Sequence, residues 1–189
     1  MSKLFIGARV PVPEAAYAHA GIKKDDPERQ DNPHLTFQYC GTEMTDADMK
    51  KLLPLWEDVL AKVPEPAHRR VIVTTEYELF GKNHDVLVLK CKVSDELEDA
   101  VNFARDKAAQ LIPHMPASDF PFSAHVTLLR AGATSLPPPM SGVQSEFASL
   151  EFDTIVFWGN KYKVRWNLGA NGRSDDMPEL ENESGKIVN

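Results

Sequence analysis

The sequence predicts one α+β domain made of two similar lobes, followed by an acidic tail. Strand-like and helix-like segments alternate along the chain. A strand, a helix and a histidine-bearing strand occur in residues 4 to 39 and again in residues 86 to 130, an internal repeat that implies two lobes. Each copy closes on the same pattern, His34-Leu35-Thr36-Phe37 in the first and His125-Val126-Thr127-Leu128 in the second. A chain of 189 residues with 42% hydrophobic content is ample for one core. The domain is placed at residues 1–169. Residues 170–189 are polar, acidic and without aromatics, and are expected to form a disordered tail.

Leu4 to Val10 reads as a strand, and Glu14 to Ala20 as a short helix after Pro11 and Pro13. The polar stretch Gly21 to Pro33 is a loop leading into the first histidine strand, where Pro33 biases Asn32 toward an extended conformation. After Gly41, Thr45 is a helix N-cap with Asp46 and Asp48 in the first turn, where negative charge meets the positive helix end. Leu52, Leu53, Trp56, Val59, Leu60 and Val63 recur at helical spacing, interrupted by Pro54.

Val71 to Phe80 and Val86 to Val93 form a predicted hairpin around Gly81-Lys82-Asn83-His84. Ser94 caps a second long helix with apolar positions at Leu97, Val101, Phe103, Ala104, Ala108 and Leu111, ended by Pro113 and Pro116. The second histidine strand runs from Ser123 to Arg130. A loop with Pro137, Pro138 and Pro139 follows, in which Leu136 to Met140 reads as a linker or a lid. Phe147 to Trp158 and Lys163 to Leu168 close the domain as a further hairpin.

The net charge of −7 argues against a broad basic surface that holds long nucleic acid by counterion release. Part of that charge is peripheral, with Asp175, Asp176, Glu179, Glu181 and Glu183 in the tail against Arg173 and Lys186. A local cationic pocket for a small anionic ligand stays compatible, and a long duplex does not. No window approaches a membrane span and no signal peptide is evident, so a soluble monomer without a membrane partner is expected. Only Cys40 and Cys91 are present, in apolar strand-like surroundings, which points to free thiols and the cytoplasm.

The two His-x-Thr segments carry the chemistry. In a strand, side chains alternate at period two, so His34 and Thr36 share one face, as do His125 and Thr127. If the strands lie side by side, one space holds two imidazoles and two hydroxyls. An imidazole with a pKa near 6.5 takes or gives a proton near neutrality, so one histidine can serve as base and the other as acid. The two threonines would donate hydrogen bonds to non-bridging phosphate oxygens. Which histidine is the base is open at this level. A metal site is not expected, since two histidines lack a clear third ligand, with Asp119 or Glu78 the available carboxylates.

Two His-x-Thr-x motifs on strands, one per lobe, resemble the 2H phosphoesterase family, with its RNA ligase-like and cyclic nucleotide phosphodiesterase branches. The resemblance covers roughly residues 4 to 168 by element order. It implies a bilobal fold with antiparallel sheets lining a central cleft and helices outside, no required cofactor or metal, and nucleotide phosphoesters as substrates. Its carry-over is limited to His34, Thr36, His125 and Thr127. The implied activity is cleavage of a nucleotide or RNA phosphodiester, at a 2′,3′-cyclic phosphate or a ribose-adjacent linkage.

Two alternatives stand beside it. One is the similar branch of bacterial viruses that degrades cyclic oligonucleotide immune signals (anti-CBASS), which would act in the host cytoplasm. The other is a catalytically silent RNA- or nucleotide-binding module. In all three the partner is a small nucleotide or oligonucleotide.

Further candidates for substrate contact are Gln38, which continues the parity of His34 and Thr36; Arg130, which has the opposite parity to His125; and Trp158, Tyr162 and Lys163 near the last hairpin. Arg9, Lys161, Arg165 and Trp166 are weaker candidates of the same kind.

Overall fold

The computed structural model describes residues 4–62, 70–116, 121–138, 149–152, 154–158, 163–169, 172–173 and 179–180. Strand β1 (Leu4–Arg9) leads into a short helix α1 (Glu14–His19), and β2 (His34–Gly41) returns antiparallel beside β1. Helix α2 (Asp46–Lys62) is followed by the hairpin of β3 (Arg70–Phe80) and β4 (Val86–Lys92). Helix α3 (Asp95–Leu111) then delivers β5 (His125–Leu129) antiparallel to β4. The predicted repeat is therefore real: each copy is a strand, a helix and a returning antiparallel strand that begins with a histidine.

Local signals account for these elements. At the β3–β4 turn, Gly81 and His84 both take positive φ, 87° and 53°, which a glycine tolerates without strain. Ser94 Oγ accepts the backbone N–H of Leu97 and caps α3. Thr45 and Asp48 form a reciprocal cap on α2: Thr45 Oγ1 accepts the Asp48 N–H at 3.2 Å, and the Asp48 carboxylate accepts the Thr45 N–H at 3.2 Å and its O–H at 2.7 Å. Pro54 lies inside α2 without ending it.

After β5 come β6 (Ser149–Glu151), β7 (Thr154–Trp158) and β8 (Lys163–Gly169), then β9 (Gly172–Arg173) and β10 (Glu179–Leu180), which both pair with β8. Strand order runs β10-β8-β7-β1-β2-β5-β4-β3-β6, and every pair among the described residues is antiparallel. One lobe holds β1, β2, β7 and β8, the other β3, β4, β5 and β6. They join at β2 and β5, where Leu35 pairs with Val126.

The run Phe147 to Trp158, expected as one strand, is split between the lobes. β6 pairs with β3 at one end of the strand order, whereas β7 pairs with β1, third from the other end. Two residues separate them, a span of at most about 11 Å, so β6, at the edge of one lobe, comes close to β7 of the other. Phe152, at this crossing, is buried and meets Phe37 edge-on at 6.1 Å.

One core lies between the sheet and the two long helices, which pack against each other. It includes Ile6, Ala8, Leu35, Leu89, Val126 and Leu128 from the strands, Leu52 and Trp56 from α2, and Leu97, Val101, Ala104 and Ala108 from α3. Phe37 stacks on Trp56 with ring centroids 5.7 Å apart and meets Phe122 edge-on. Phe103 and Leu111 are exposed, contrary to the predicted stripe. The buried positions of α3 advance by three or four residues; Phe103 falls off that line, whereas Leu111 continues it as the last residue of the helix and is exposed there. Cys40 and Cys91 are buried free thiols whose pKa values burial pushes up to about 12. Among the described residues no helix is long and apolar enough to cross a membrane.

Candidate active site

Leu35 and Val126 are each fully buried, and they face each other across the junction of β2 and β5. Strand alternation then puts their neighbours on the opposite face of the sheet, where His34, Thr36, His125 and Thr127 are all half-buried. Because the strands are antiparallel, one step from this pair sets Thr36 beside His125 and the other sets His34 beside Thr127. Residues opposite one another in such a ladder have Cα atoms about 4.5–5.5 Å apart. Each imidazole thus has the hydroxyl of the other motif as its cross-strand neighbour. The four predicted residues form one constellation.

Both imidazoles are held in the same way. His34 Nδ1 lies 2.9 Å from the carbonyl oxygen of Asn32, and His125 Nδ1 lies 2.8 Å from that of Ser123. A carbonyl oxygen only accepts, so Nδ1 carries the proton in each ring and Nε2 is left to exchange protons with a ligand. Each ring also rests on a phenylalanine: His34 stacks on Phe5 at 4.4 Å with planes 16° apart, and His125 packs on Phe80 at 4.6 Å. Gly7 lies between Phe5 and Arg9 on β1 and pairs with Thr36, at a point where β1 and β2 approach too closely for a side chain.

Burial pushes both imidazoles below their ordinary value of 6.5. Their surroundings then differ. The charge of His125 further disfavours protonation of His34, whereas Glu78 favours the protonated form of His125. The flanking strands repeat the pairing with a cation, since Arg9 on β1 is opposite His34 and Lys90 on β4 is opposite His125. Lys90 Nζ lies 3.4 Å from Glu78 and 3.7 Å from Glu76. The Arg9 guanidinium donates to the Asn32 side-chain oxygen at 3.2 Å.

Gln38 does not share this face. β2 carries a bulge after Thr36: Gly7 pairs with Thr36 while Ile6 pairs with Gln38, leaving Phe37 as an extra residue. The extra residue resets the alternation, and Gln38 is buried, with its amide nitrogen 3.5 Å from Met115 Sδ. Arg130 is engaged elsewhere. Its Nη2 donates to Pro27 O at 2.6 Å and its Nε to Glu28 O at 3.5 Å, and the chain at residues 28 to 30 runs beside β5 through Gln30 N to Leu128 O and Arg130 N to Glu28 O. The guanidinium fastens the loop that precedes His34.

Trp158 and Lys163 pair with each other, Trp158 opposite Phe5. Their side chains, like those of Arg165 and Trp166, lie outside the described residues, as do Lys161, Tyr162 and Asp119. Phe5, Phe80 and Lys90 were missed in the sequence. They belong to strands whose partner and register had to be known before their parity meant anything. Among the described residues no group of three or more His, Cys, Asp or Glu side chains is placed to hold a metal ion.

No family model matches the chain, and no curated protein matches it by sequence. Solved structures do resemble it. A phosphoesterase is 17% identical with a TM-score of 0.54, over 92% of this chain and 94% of that one. E. coli LigT complexed with 3′-AMP is 20% identical with a TM-score of 0.52, over 94% and 95%. The protein TT0787 of Thermus thermophilus is 19% identical with a TM-score of 0.54, over 92% and 93%. At these identities the likeness is one of fold, and it extends over nearly the whole of each chain.

Proposed function

We propose, from the premise that this chain has the α+β fold of the 2H phosphoesterase superfamily, that it is a metal-independent phosphodiesterase acting on nucleotides or RNA. The observation that carries this reading is the Leu35–Val126 pairing, which gathers two His-x-Thr motifs with both Nδ1 atoms tied to carbonyls. A substrate phosphate between β2 and β5 would meet an imidazole Nε2 and a hydroxyl from each side. One Nε2 takes a proton from the attacking hydroxyl, a ribose 2′-hydroxyl or water, as its oxygen bonds to phosphorus. The other Nε2 gives its proton to the oxygen whose bond to phosphorus breaks. Thr36 and Thr127 donate to the non-bridging oxygens as negative charge shifts onto them. Both proton transfers are then supplied by the chain itself, so no metal is required.

The surroundings favour a division of roles. Glu78 helps His125 keep its proton, and the His125 charge helps His34 stay neutral, so His34 is the base and His125 the acid in the first step. Among the similar structures, E. coli LigT is described in complexes with 3′-AMP and with phosphate, which supports a nucleotide phosphoester as ligand here. The test is turnover of a panel of 2′,3′-cyclic nucleotides, cyclic dinucleotides, cyclic trinucleotides and 2′-5′ oligoadenylates, with and without chelator. Cleavage of at least one, insensitive to chelator, is expected. Silence across the panel would sink the proposal in favour of a binding module, and cleavage of only the cyclic oligonucleotides would identify the immune-signal branch.

A further inference from the structure

We infer that Arg9 forms a second phosphate subsite on the His34 side of the cleft, so that the ligand is a nucleotide with a further phosphate on that side only. The inference rests on the phosphodiesterase reading for the place of the first phosphate. Ile6, Ala8 and Val10 are fully buried on β1, and Arg9 is half-buried with the opposite parity, on the face that carries His34. Its Cα pairs directly with that of His34, one strand, or about 4.8 Å, outward from the histidine. Asn32 serves both residues: its carbonyl accepts from His34 Nδ1 and its side-chain oxygen accepts from Arg9. The guanidinium is therefore steadied by a neutral group that leaves its charge intact.

Among the described residues no carboxylate pairs with Arg9. Glu14, the acid nearest to Arg9 along the chain, and Asp31, the neighbour of Asn32, both turn to Arg29, at 2.7 Å and 3.6 Å. The other flank is built in the opposite sense. Lys90 occupies the matching position beside His125, but there the carboxylates of Glu76 and Glu78 both lie within 4 Å of the ammonium. A second phosphate is attracted beside His34 and repelled beside His125, which fixes the direction in which a nucleotide with two phosphates can lie. A guanidinium presents a donor fork suited to phosphate oxygens.

The experiment is calorimetric titration with 3′-AMP and adenosine 3′,5′-bisphosphate, which needs no turnover. The wild-type chain is expected to prefer the bisphosphate by about tenfold, the size of one charge-assisted hydrogen bond. Arg9→Gln should bring the ratio of the two Kd values close to one, and Arg9→Lys should restore part of it, with circular dichroism melting showing both variants folded. Equal affinities in the wild type, no binding of either nucleotide, or a preference that survives Arg9→Gln overturns the inference. Turnover of the cyclic panel is judged separately: a preference that depends on Arg9, with no phosphodiester cleaved, leaves the subsite standing and removes the enzyme.

Discussion

A Cβ on Gly7 would lie 2.5 Å from the carbonyl oxygen of Leu35 and 3.3 Å from Cα of Thr36. Both neighbours are backbone of the strand that carries His34, so neither can yield without moving the site. Gly7→Ala should destabilise the protein by about 1–3 kcal/mol, as overpacking commonly does. It should also lower kcat by up to about 10², since a misplacement near 1 Å has that effect. A thermal melt and a turnover assay on the same preparation check this, and wild-type values in both would show that β1 and β2 have slack.

Removing either imidazole should remove one proton transfer. His34→Ala and His125→Ala should each lower turnover by about 10² to 10⁴, with circular dichroism unchanged. A folded variant that keeps the wild-type rate refutes the paired mechanism.

The pH dependence follows from burial of the same two rings. Their folded pKa values lie below 6.5, so below 6.5 the unfolded chain binds protons more readily than the folded one. Their contribution to stability is intact above pH 6.5 and is lost as the pH falls through the depressed folded values. Activity needs one neutral and one protonated ring, so the bell-shaped profile should centre on the acid side of 6.5. Glu78→Gln should lower the His125 value further and draw the basic limb to lower pH. NMR titration of these two rings reads both effects, and His34 or His125 titrating above 6.5 in the folded protein contradicts them.

The sequence made the elements and the four central residues readable because those signals are local. Caps at Thr45 and Ser94, the Gly81 turn and the parity within His-x-Thr depend on residues a few places apart. Gln38 was misplaced because one extra residue at Phe37 reverses the alternation, and a bulge is set by the partner strand. The anchoring role of Arg130 was not legible because its acceptors are backbone carbonyls 102 and 103 residues away. The split of the run from Phe147 to Trp158 was invisible for the same kind of reason: β6 and β7 are told apart by the strands they join.

The reciprocal cap on α2 gives a prediction away from the site. The Thr45 hydroxyl first, with Lys51 and His114 adding donors, holds the Asp48 pKa down to about 2 from 3.8. Its stabilising contribution is present above pH 3.8 and is lost as the pH falls toward 2. Thr45→Ala should cost about 1 kcal/mol at neutral pH and should flatten the stability profile between pH 4 and 2. Urea unfolding across that range decides it; a profile as steep as the wild type's would assign the acid sensitivity to other carboxylates.

The short step between β6 and β7 bears on the order in which the molecule can be made. The lobe of β3 to β6 is an insertion between β2 and β7, so the first lobe is begun before the second and finished only after the second has been synthesised. On the ribosome β1 emerges before β7 and waits, one edge unpaired, for a partner encoded some 145 positions later. Nucleation of that lobe by itself is therefore disfavoured, and folding has to wait on a long-range contact of the kind that slows β-rich chains. A nascent chain halted before Thr154 would carry both histidine motifs and still lack the strand that seals β1, making late synthesis the period of greatest exposure to edge-to-edge association.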